Sequence, residues 1–413
     1  MQTDCLIIGG GLVGSAQAIA LSKIGIKSVI IDKALSADVL QANFDGRASA
    51  ISQSSVKVLT YINLWDKLQQ QACPIEKILI TEGKKSAKVH FDSDQVGEPF
   101  GFMVRNTQLR QTLLGAVMAD ENITLLEGAN IETLQHQPNI SVALKCGKNI
   151  TAELLIIADG RYSEFRSKVG IGHRKFEYGQ DAIICNIHHK KNHDNVATEW
   201  FFAQGPLALL PMLDDKLLDN NIAENEPIKG GHHSCVVLTE KTAMAEHFMQ
   251  LSDEDFLEEI ALKLQGLMGD ISLVGIRHRY PLNLFHAEKY IAPNTVLIGD
   301  AAHAIHPIAG QGVNLGYRDV AALTDILSEA RLNGVALNDA HSLQQYQNWR
   351  SLDATRMVVV TDGLNRLFSN NSPSVRKLRQ IGMSAFQRIP AAKSLFIETA
   401  MGMSGNLPQM LRA

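Results

Sequence analysis

Residues 299–316 contain the side chains and backbone that are best suited to chemistry. They read Gly-Asp-Ala-Ala-His-Ala-Ile-His-Pro-Ile-Ala-Gly-Gln-Gly-Val-Asn-Leu-Gly, so the carboxylate of Asp300 precedes a glycine-rich loop. Pro307, Gly310 and Gly312 let the backbone approach a flat ligand closely, and the N–H groups that open the next helix present partial positive charge to it. A ligand that becomes anionic on reduction gains most from this arrangement, and a flavin ring is such a ligand. The pattern predicts a cofactor loop; glycines needed only for a strand-to-helix turn are the alternative.

The elements on either side must hold this loop in place. The apolar run 295–298 predicts a strand before it, and the spacing of apolar residues in 317–330 predicts a helix after it. Asp300 would then stand at the end of a strand, next to the loop.

A second glycine-rich turn opens the chain. The apolar residues 3–8 predict a strand that runs into Gly9, Gly11 and Gly14, a G-x-G-x-x-G pattern followed by a helix. A second strand, 27–31, ends at Asp32, which is 32 − 14 = 18 residues beyond the last glycine. That spacing is typical of dinucleotide binding, with pyrophosphate at the helix N-terminus and a ribose on the acid. Lys33 suggests a 2′-phosphate, but a lysine after a strand is more often a solvated surface residue.

The remaining patterns predict an α/β protein of several parts. Strand-like runs dominate residues 75–100 and 181–285, whereas the end of the chain is helical and interrupted by prolines. We predict a Rossmann-like domain made of residues 1–74, 101–180 and 286–340. An inserted, mainly β domain for the substrate comprises 75–100 and 181–285, and a helical region comprises 341–413. Residues 214–229 predict an exposed loop.

Composition excludes several classes of function. The net charge of −4 and the lack of a long basic run argue against a nucleic-acid partner. The five cysteines include no CxxC pair, so we expect neither a disulfide scaffold nor a metal site, and a reducing cytoplasm fits best. The first strand leaves no room for a signal peptide, and no apolar run is long enough to span a membrane.

Three motifs in order give the chain a family resemblance. After the G-x-G-x-x-G of residues 9–14 come Asp159 and Gly160 at the end of a predicted strand, and then Gly299 with Asp300. In this the chain resembles the class A FAD-dependent aromatic monooxygenases. Residues 306–319, together with 45–50 and the late segments 346–353 and 400–408, resemble more narrowly the ubiquinone-biosynthesis hydroxylases, the UbiH/UbiF/VisC group. The resemblance covers nearly the whole chain.

The resemblance implies a fold and a reaction. The fold would be that of para-hydroxybenzoate hydroxylase, with FAD as the cofactor. The enzyme, an oxidoreductase of the EC 1.14 type, would hydroxylate the ring of a polyprenylated phenol or quinone precursor in ubiquinone biosynthesis. Reduced flavin would react with O2 to give a C4a-hydroperoxyflavin. NADH, NADPH or a partner reductase would supply the electrons, and a single dinucleotide fingerprint agrees with a donor that binds transiently.

The resemblance also assigns residues. Asp300 would hold the ribityl chain, and Arg110 would contact the FAD phosphates. Asp159, with Gly160, would lie between FAD and the nicotinamide donor, although a strand-end turn is the alternative, as a surface position is for Arg110. Around the flavin ring would lie Arg47, His306, Pro307, Gly310, Gln311, Gly312, Val313 and Asn314, and the catalytic candidates among these are Arg47, His306 and Pro307.

Two further assignments concern the substrate. Leu209 and Pro211, in the predicted strand 207–212, would face the ring to be hydroxylated, whereas a plain core strand explains the same letters. The mixed basic and apolar residues from 375 to 396 suggest an interfacial helix that contacts the cytoplasmic face of the inner membrane, or else ordinary packing. Subunits of a ubiquinone-synthesis complex would be partners.

Three alternatives stay open. The same fold could hydroxylate a small soluble phenol or reduce an isoprenoid. A flavin-binding scaffold subunit of a biosynthetic complex would be a different class.

His303 and His306 suggest a base or a metal pair, but a loop histidine bonded to backbone fits an i, i+3 pair without a third ligand better.

Overall fold

The computed structural model describes residues 1–42, 44–82, 88–202, 204–214, 231–305, 311–368, 386–387 and 389–412. Its strands are β1 (Gln2–Ile8), β2 (Ser28–Ile31), β3 (Ala48–Ser52), β4 (Cys73–Ile75), β5 (Lys77–Thr81), β6 (Lys88–Asp92), β7 (Gly101–Arg105), β8 (Ile123–Leu126), β9 (Ile131–Gln135), β10 (Ile140–Leu144), β11 (Asn149–Ile157), β12 (His173–His189), β13 (Val196–Phe201), β14 (Pro206–Met212), β15 (His233–Lys241), β16 (Ile271–Ala287), β17 (Ile291–Ala292), β18 (Thr295–Leu297) and β19 (His303–Ala304).

Its helices are α1 (Leu12–Lys23), α2 (Ser36–Leu40), α3 (Gln53–Tyr61), α4 (Trp65–Leu68), α5 (Asn106–Ala119), α6 (Glu164–Lys168), α7 (Thr242–Gln250), α8 (Asp253–Leu264), α9 (Gly312–Leu332), α10 (Ala340–Phe368), α11 (Pro390–Ala400) and α12 (Gln409–Arg412). Short 3-10 turns cover Gln69–Gln71, Ser93–Gln95 and Gly299–Ala301.

The first sheet has a parallel centre. In the described part of the chain its strand order is β17-β18-β11-β1-β2-β8, and β10 and β9 extend it from β11. The strands β18, β11, β1, β2 and β8 run parallel. Residues 5–8 and 154–157 are apolar and almost inaccessible, because helices cover a parallel sheet on both faces. Helices α1 and α9 pack together beside it.

The second sheet is mainly antiparallel. Among the described residues its order is β19-β16-β12-β15-β14-β13-β5-β6, and β13 and β5 are its parallel pair. Helices α7 and α8 cover one face. There they form the helix-side cluster, Ile183, Cys185, Ile187, Trp200, Leu207, Leu209, Val236, Leu238, Ala245, Phe248, Phe256, Ile260, Leu264 and Met268. The other face contributes to the interface cluster, Cys73, Ile75, Val89, Phe91, Phe100, Met103, Ala197, Phe201, Met212, Leu213, Cys235, Ile397 and Met401.

A small third sheet, β3-β7-β4, lies against the interface cluster. The sequence of residues 45–51 predicts a turn at Asp45–Arg47 followed directly by a helix through Leu59. That prediction is wrong for Ala48–Ser52, which form a strand before α3. The cause is tertiary, since Ala50 and Ile51 pair with Met103 and Phe102, about fifty residues away along the chain.

Most other predicted elements are present with different ends. The helix predicted over 317–330 begins earlier, at Gly312. The amphipathic pattern of residues 253–267 also predicts a helix, which ends at Leu264 because Gln265 adopts a left-handed conformation, φ 57°. Strand β16 was not predicted, since cations such as Arg277 and Arg279 interrupt its apolar pattern. It forms because β12 offers a partner along nearly its whole length.

Two predicted surface segments fall mostly outside the described residues: the loop 214–229, apart from Asp214, and the basic stretch 375–379. The described end of the predicted interfacial helix packs inward. Phe396 stacks on Phe91 with ring centroids 5.3 Å apart, and Lys393 is buried above the same ring. None of the helices in the described ranges is long and apolar enough to cross a membrane.

Candidate active site

The carboxyl ends of four parallel strands bring the predicted motifs to one edge of the first sheet. Gly9 follows β1, Asp32 follows β2, Asp159 follows β11 and Gly299 follows β18. Parallel neighbours end on the same side, and ligands of open α/β sheets bind at that side. Four motifs that are distant in sequence therefore converge.

Close backbone packing explains two of the glycines. A Cβ on Gly9, whose φ is +103°, would lie 2.5 Å from the Ala158 carbonyl oxygen. A Cβ on Gly14 would lie 1.9 Å from the Gly9 carbonyl oxygen. No larger residue fits between strand and helix there, so α1 approaches the ends of β1 and β11 at backbone contact.

Gly11 has a different role. A Cβ on Gly11 would meet no atom within 4 Å, so the backbone is open on that side. Gly11 is the N-cap of α1, and no side chain in the described part of the chain caps this helix. Free N–H groups and the positive end of a helix fit a phosphate group, and the turn therefore fits the pyrophosphate of a dinucleotide.

Asp32 closes the same cleft. Its carboxylate accepts hydrogen bonds from the Gly10 N–H and, at 2.7 Å, from the Ala34 N–H. Arg110, on α5, lines the cleft together with Gly11 and Asp32. The arrangement offers an acceptor for a ribose and a cation for a phosphate within one recess.

Asp159 is half-buried, and one of its carboxylate oxygens is inaccessible and uncommitted. Within the described residues its Oδ1 has no hydrogen-bond partner. Burial raises the pKa of this carboxyl, although hydrogen bonds from Ser163 and from backbone N–H groups act against the shift. Gly160 follows with φ +89°, which turns the chain sharply after the strand. An orphaned carboxylate oxygen at the end of a parallel strand fits a polar group of a bound ligand.

Asp300 lies near the cation of Arg161, with 4.0 Å between the Asp300 Oδ2 and the Arg161 Nε. Its side chain keeps 41% of its surface accessible. The recess around it raises the pKa of the carboxyl, against the pull of Arg161. Behind it, Arg166 donates to the Ala301 carbonyl oxygen at 2.9 Å and fixes the turn.

A buried charge cluster under this turn was not predicted. The Oδ1 of Asp319 accepts from the Arg350 Nε at 2.6 Å. Its Oδ2 accepts from the Gly299 N–H at 2.8 Å, and His303 Nε2 lies 2.7 Å from the same oxygen. Burial would raise the pKa of Asp319, but His303 and Arg350 hold it below its ordinary value. The expectation that His303 bonds to backbone was wrong, because its neighbour is a carboxylate. Both helices carry other charged residues, so nothing in the local pattern marked Asp319 and Arg350 as a buried pair.

The residues that follow the loop open α9. Gly312 is the first helical residue, with open space where a Cβ would stand, and Val313 is half-buried. The Asn314 amide donates to the Ala50 carbonyl oxygen at 2.8 Å and accepts from the Ser52 N–H at 2.9 Å, so it ties β3 to α9.

The other predicted loop residues are placed only in part. Gln311, which precedes α9, donates to the Ala400 carbonyl oxygen at 3.3 Å. His306, Pro307 and Gly310 lie outside the described residues.

Arg47 stands between the third and second sheets. Its Nε donates to Asp45 at 2.8 Å, and Arg47 and Asp45 are each more than half buried. Burial acts to raise the pKa of Asp45, but the hydrogen bonds and the charge of Arg47 lower it by more. The pKa of Asp45 is therefore below its ordinary value. The Gly46 carbonyl oxygen accepts from the Asn186 amide of β12 at 2.9 Å. A cation is thus held at the seam where the two sheets meet.

The structure places the predicted substrate residues on the helix side of the second sheet. Leu209 belongs to the helix-side cluster under α7 and α8, and by strand alternation Pro211 shares that face. Leu210 and Met212 point the other way, into or against the interface cluster. The sequence of a strand that is apolar on both faces does not indicate which residues face the helices and which face the interface cluster.

The arrangement can hold a dinucleotide and shield an apolar ligand from water. In the described ranges, no group of three or more His, Cys, Asp or Glu side chains could hold a metal ion. The glycine turns, the acids at the strand ends and the apolar face of the second sheet are the features that the described residues offer to a ligand.

Comparisons with known proteins agree with this geometry. Residues 2–361 match the family described as FAD binding domain. The ubiquinone hydroxylase UbiL of Rhodospirillum rubrum is 36% identical over 97% of this chain and 89% of its own length. The 3-demethoxyubiquinol 3-hydroxylase of Escherichia coli is 33% identical over 97% and 99%. The crystal structure of PqsL, a probable FAD-dependent monooxygenase from Pseudomonas aeruginosa, superimposes with a TM-score of 0.73 at 19% identity, covering 93% of this chain and 100% of that one. The predicted fold class is confirmed.

Proposed function

Since this chain belongs to the family of FAD-binding ubiquinone hydroxylases, we propose that it hydroxylates the aromatic ring of a polyprenylated phenol in ubiquinone biosynthesis. The observation that carries the proposal is the convergence of Gly9, Asp32, Asp159 and Asp300 at one edge of the parallel sheet, beside an apolar interface cluster. The overall reaction consumes the phenol, O2, NAD(P)H and one proton, and yields the hydroxylated ring, water and NAD(P)+.

The cofactor side of the proposal rests on the glycine turns. Gly9, Gly11 and Gly14 would receive the pyrophosphate, Asp32 the adenosine ribose, and Arg110 a phosphate. Bound FAD supplies the two-electron chemistry through which O2 delivers one oxygen atom to a ring. What the protein contributes is orientation and preorganised polarity around that group.

The ring side of the proposal uses the loop and the start of α9. Asp300 would bind the ribityl chain beside Gly299, and the backbone around Gln311, Gly312 and Val313 would lie along the pyrimidine edge. Asn314 would act indirectly, through its bonds to β3. Asp159 and Gly160 would meet the nicotinamide side.

We propose Arg47, His306 and Pro307 as the catalytic residues. Of these three, Arg47 lies within the described part of the chain. Its position at the seam between two sheets supports a role in orienting the flavin or the substrate. A positive charge there stabilises a ring that becomes anionic on reduction.

We propose the same division of labour between parts of the chain as the sequence suggests. Residues 1–74, 101–180 and 286–340 would bind FAD, residues 75–100 and 181–285 the substrate, and 341–413 would close the apolar side. The membership of Ile397 and Met401 in the interface cluster supports the last point. Because these parts would exclude water, the activated oxygen would be transferred to the substrate ring and would not be lost as hydrogen peroxide.

A polyprenyl substrate has to leave a bilayer to reach this site. We propose peripheral contact with the cytoplasmic face of the inner membrane and with subunits of a ubiquinone-synthesis complex. Ile389 and Leu395, exposed by 50% and 62% beside and on α11, support an apolar contact there. The electron donor would be NADH, NADPH or a partner reductase.

The experiment is quinone profiling by mass spectrometry of lipid extracts from cells that lack the gene. The proposal expects a prenylphenol short of one ring oxygen to accumulate, and expects the wild-type gene, but not the Asp300→Ala variant, to clear it. An unchanged ubiquinone pool without an accumulating precursor would contradict the proposed substrate. Hydroxylation of soluble phenols by the purified protein would then favour the small-substrate alternative.

A further inference from the structure

An acidic residue, Glu199, lies in the middle of β13. Alternate residues of a strand point to opposite faces of its sheet. Ala197 and Phe201, two residues away on either side, belong to the interface cluster, whereas the adjacent Trp200 belongs to the helix-side cluster. Glu199 therefore points toward the face that we propose binds the substrate.

Cross-strand pairing gives Glu199 apolar neighbours. It lies opposite Ala208 of β14 on one side and Ile80 of β5 on the other. The same row continues through Val237 of β15 to Ile184 of β12. Each of these neighbours is apolar, and the next residue of the row is His278 of β16, opposite Ile184. Three apolar residues therefore separate the carboxyl from the next polar side chain on that side.

The carboxyl is neither solvated freely nor paired. Its residue has intermediate accessibility, and no hydrogen bond or ion pair within the described chain reaches it. Burial raises the pKa of Glu199 to about 7. A carboxyl with that pKa exchanges its proton near neutral pH, which suits a general acid or base.

Other titratable groups face the interface cluster from the elements packed against it. Lys393 of α11 has its Nζ 5.4 Å from one aromatic ring centroid, and Arg105 of β7 lies 4.3 Å from another. Burial raises the pKa of the Cys235 thiol to about 12 and raises that of Cys73 further, so both thiols are neutral. Two histidines share this sheet face with Glu199: His233 by strand alternation with Cys235, and His278 by its pairing with Ile184. The carboxyl of Glu199 is the acidic group that burial brings into the neutral range on this face of the described strands.

We propose that Glu199 is a catalytic residue that accepts the proton of the substrate's ring hydroxyl during hydroxylation. The inference rests on the proposed function and names the residue that the apolar site would use. As the O–H bond breaks, its electron pair moves onto the ring oxygen and enriches the ring for attack on an electrophilic oxygen. The proton forms a new O–H bond on Glu199 and returns to the product or to water afterwards. No electrons are gained or lost in this step, and O2 and NAD(P)H remain the oxidant and reductant.

The test uses the purified, FAD-loaded protein with 2-geranylphenol as the probe. Glu199→Gln keeps the shape of the side chain but cannot accept a proton, and Glu199→Asp keeps the acid. Glu259→Gln, an exposed position on α8, is the matched control. We expect Glu199→Gln to lower product formation by about 10²–10⁴-fold, with electrons diverted to hydrogen peroxide, while flavin content is unchanged.

Two further readouts separate proton transfer from a structural role. The wild-type hydroxylation rate should rise with pH through about 7, and that limb should vanish in Glu199→Gln and return in Glu199→Asp. Binding to the oxidised protein can be measured by flavin fluorescence. The ratio of the Kd values for the methyl ether and for 2-geranylphenol should fall by about tenfold in Glu199→Gln.

The outcomes distinguish this inference from the proposed function. If the wild-type protein hydroxylates 2-geranylphenol and Glu199→Gln does so with the same rate, coupling and pH profile, Glu199 has no such role and the proposed function stands. If the wild-type protein hydroxylates no prenylated phenol, both fall together. A loss in Glu199→Gln that Glu199→Asp does not restore at all would also overturn the inference.

Discussion

His303 Nε2 lies 2.7 Å from Asp319 Oδ2, and neither side chain has any accessible surface. The same carboxylate binds the Gly299 N–H and Arg350, so a turn of the proposed flavin site and two long helices share one buried charge cluster. The position of Asp300 in that turn is therefore coupled to α9 and α10.

Asp319→Asn should destabilise the protein by up to about 3–5 kcal/mol, because the buried Arg350 would lose one of its two carboxylate partners and keep Asp353 alone. Urea unfolding measures the loss, and Asp270→Asn, an exposed position, is the control. Since the pKa of Asp319 is lowered from 3.8, its stabilisation is complete above about pH 4 and is lost as the pH falls through the lower, folded value. The wild type should lose stability more steeply than the variant in acid; parallel curves would show that the charge does not matter.

Asp300→Ala should yield folded protein that has lost most of its flavin, because the ribityl chain would lose its acceptor. The ratio of visible to ultraviolet absorbance after purification measures the loss, and circular dichroism checks folding. Asp253→Ala, at an exposed acid, provides the comparison. A full yellow spectrum from Asp300→Ala would remove this residue from the cofactor site.

Gly14→Ala should abolish dinucleotide binding and cost about 1–3 kcal/mol, because the added Cβ would stand 1.9 Å from the Gly9 carbonyl oxygen. Gly115→Ala, in α5, would meet nothing within 4 Å and should stabilise the protein by up to about 1 kcal/mol. Thermal unfolding and flavin content report both effects. Equal behaviour of the two variants would contradict the packing argument.

Arg47→Ala should slow turnover by at least about tenfold through lost orientation at the seam. Its partly exposed pair with Asp45 contributes less than about 1 kcal/mol, so unfolding should change little. Steady-state kinetics and urea unfolding give the two numbers, and Lys190→Ala serves as the exposed control. Turnover equal to that of the wild type would exclude Arg47 from the site.

Leu209 and Leu210 should respond differently to truncation. Leu209→Ala should cost about 2–5 kcal/mol of stability and leave KM for 2-geranylphenol unchanged, because it packs under α7 and α8. Leu210→Ala should change KM more than stability, since Leu210 lies against the interface cluster. Steady-state kinetics and urea unfolding of both variants test this. A change in KM for Leu209→Ala but not for Leu210→Ala would show that the substrate binds on the Leu209 face, as the sequence suggested.

Local signals in the sequence were sufficient for the cofactor motifs. A strand, a tight glycine turn and a helix form from neighbouring residues, so Gly9, Gly14 and Asp32 could be recognised from spacing alone. The positions of Asp159 and Asp300 at the ends of apolar strands were predicted in the same way, whereas their proposed roles come from the family resemblance. The parallel fold then follows, because such units pack with their helices outside the sheet.

The tertiary structure alone decided what lies across the fold. Asp319, His303 and Arg350 meet from three elements, and strand alternation by itself leaves open whether Leu209 or Leu210 faces the substrate side. Glu199 was within a predicted strand, yet its proton affinity depends on the apolar rows that four other strands place around it. Burial, and with it the pKa of a side chain, is set by neighbours that are distant in sequence, so spacing along the chain does not encode it.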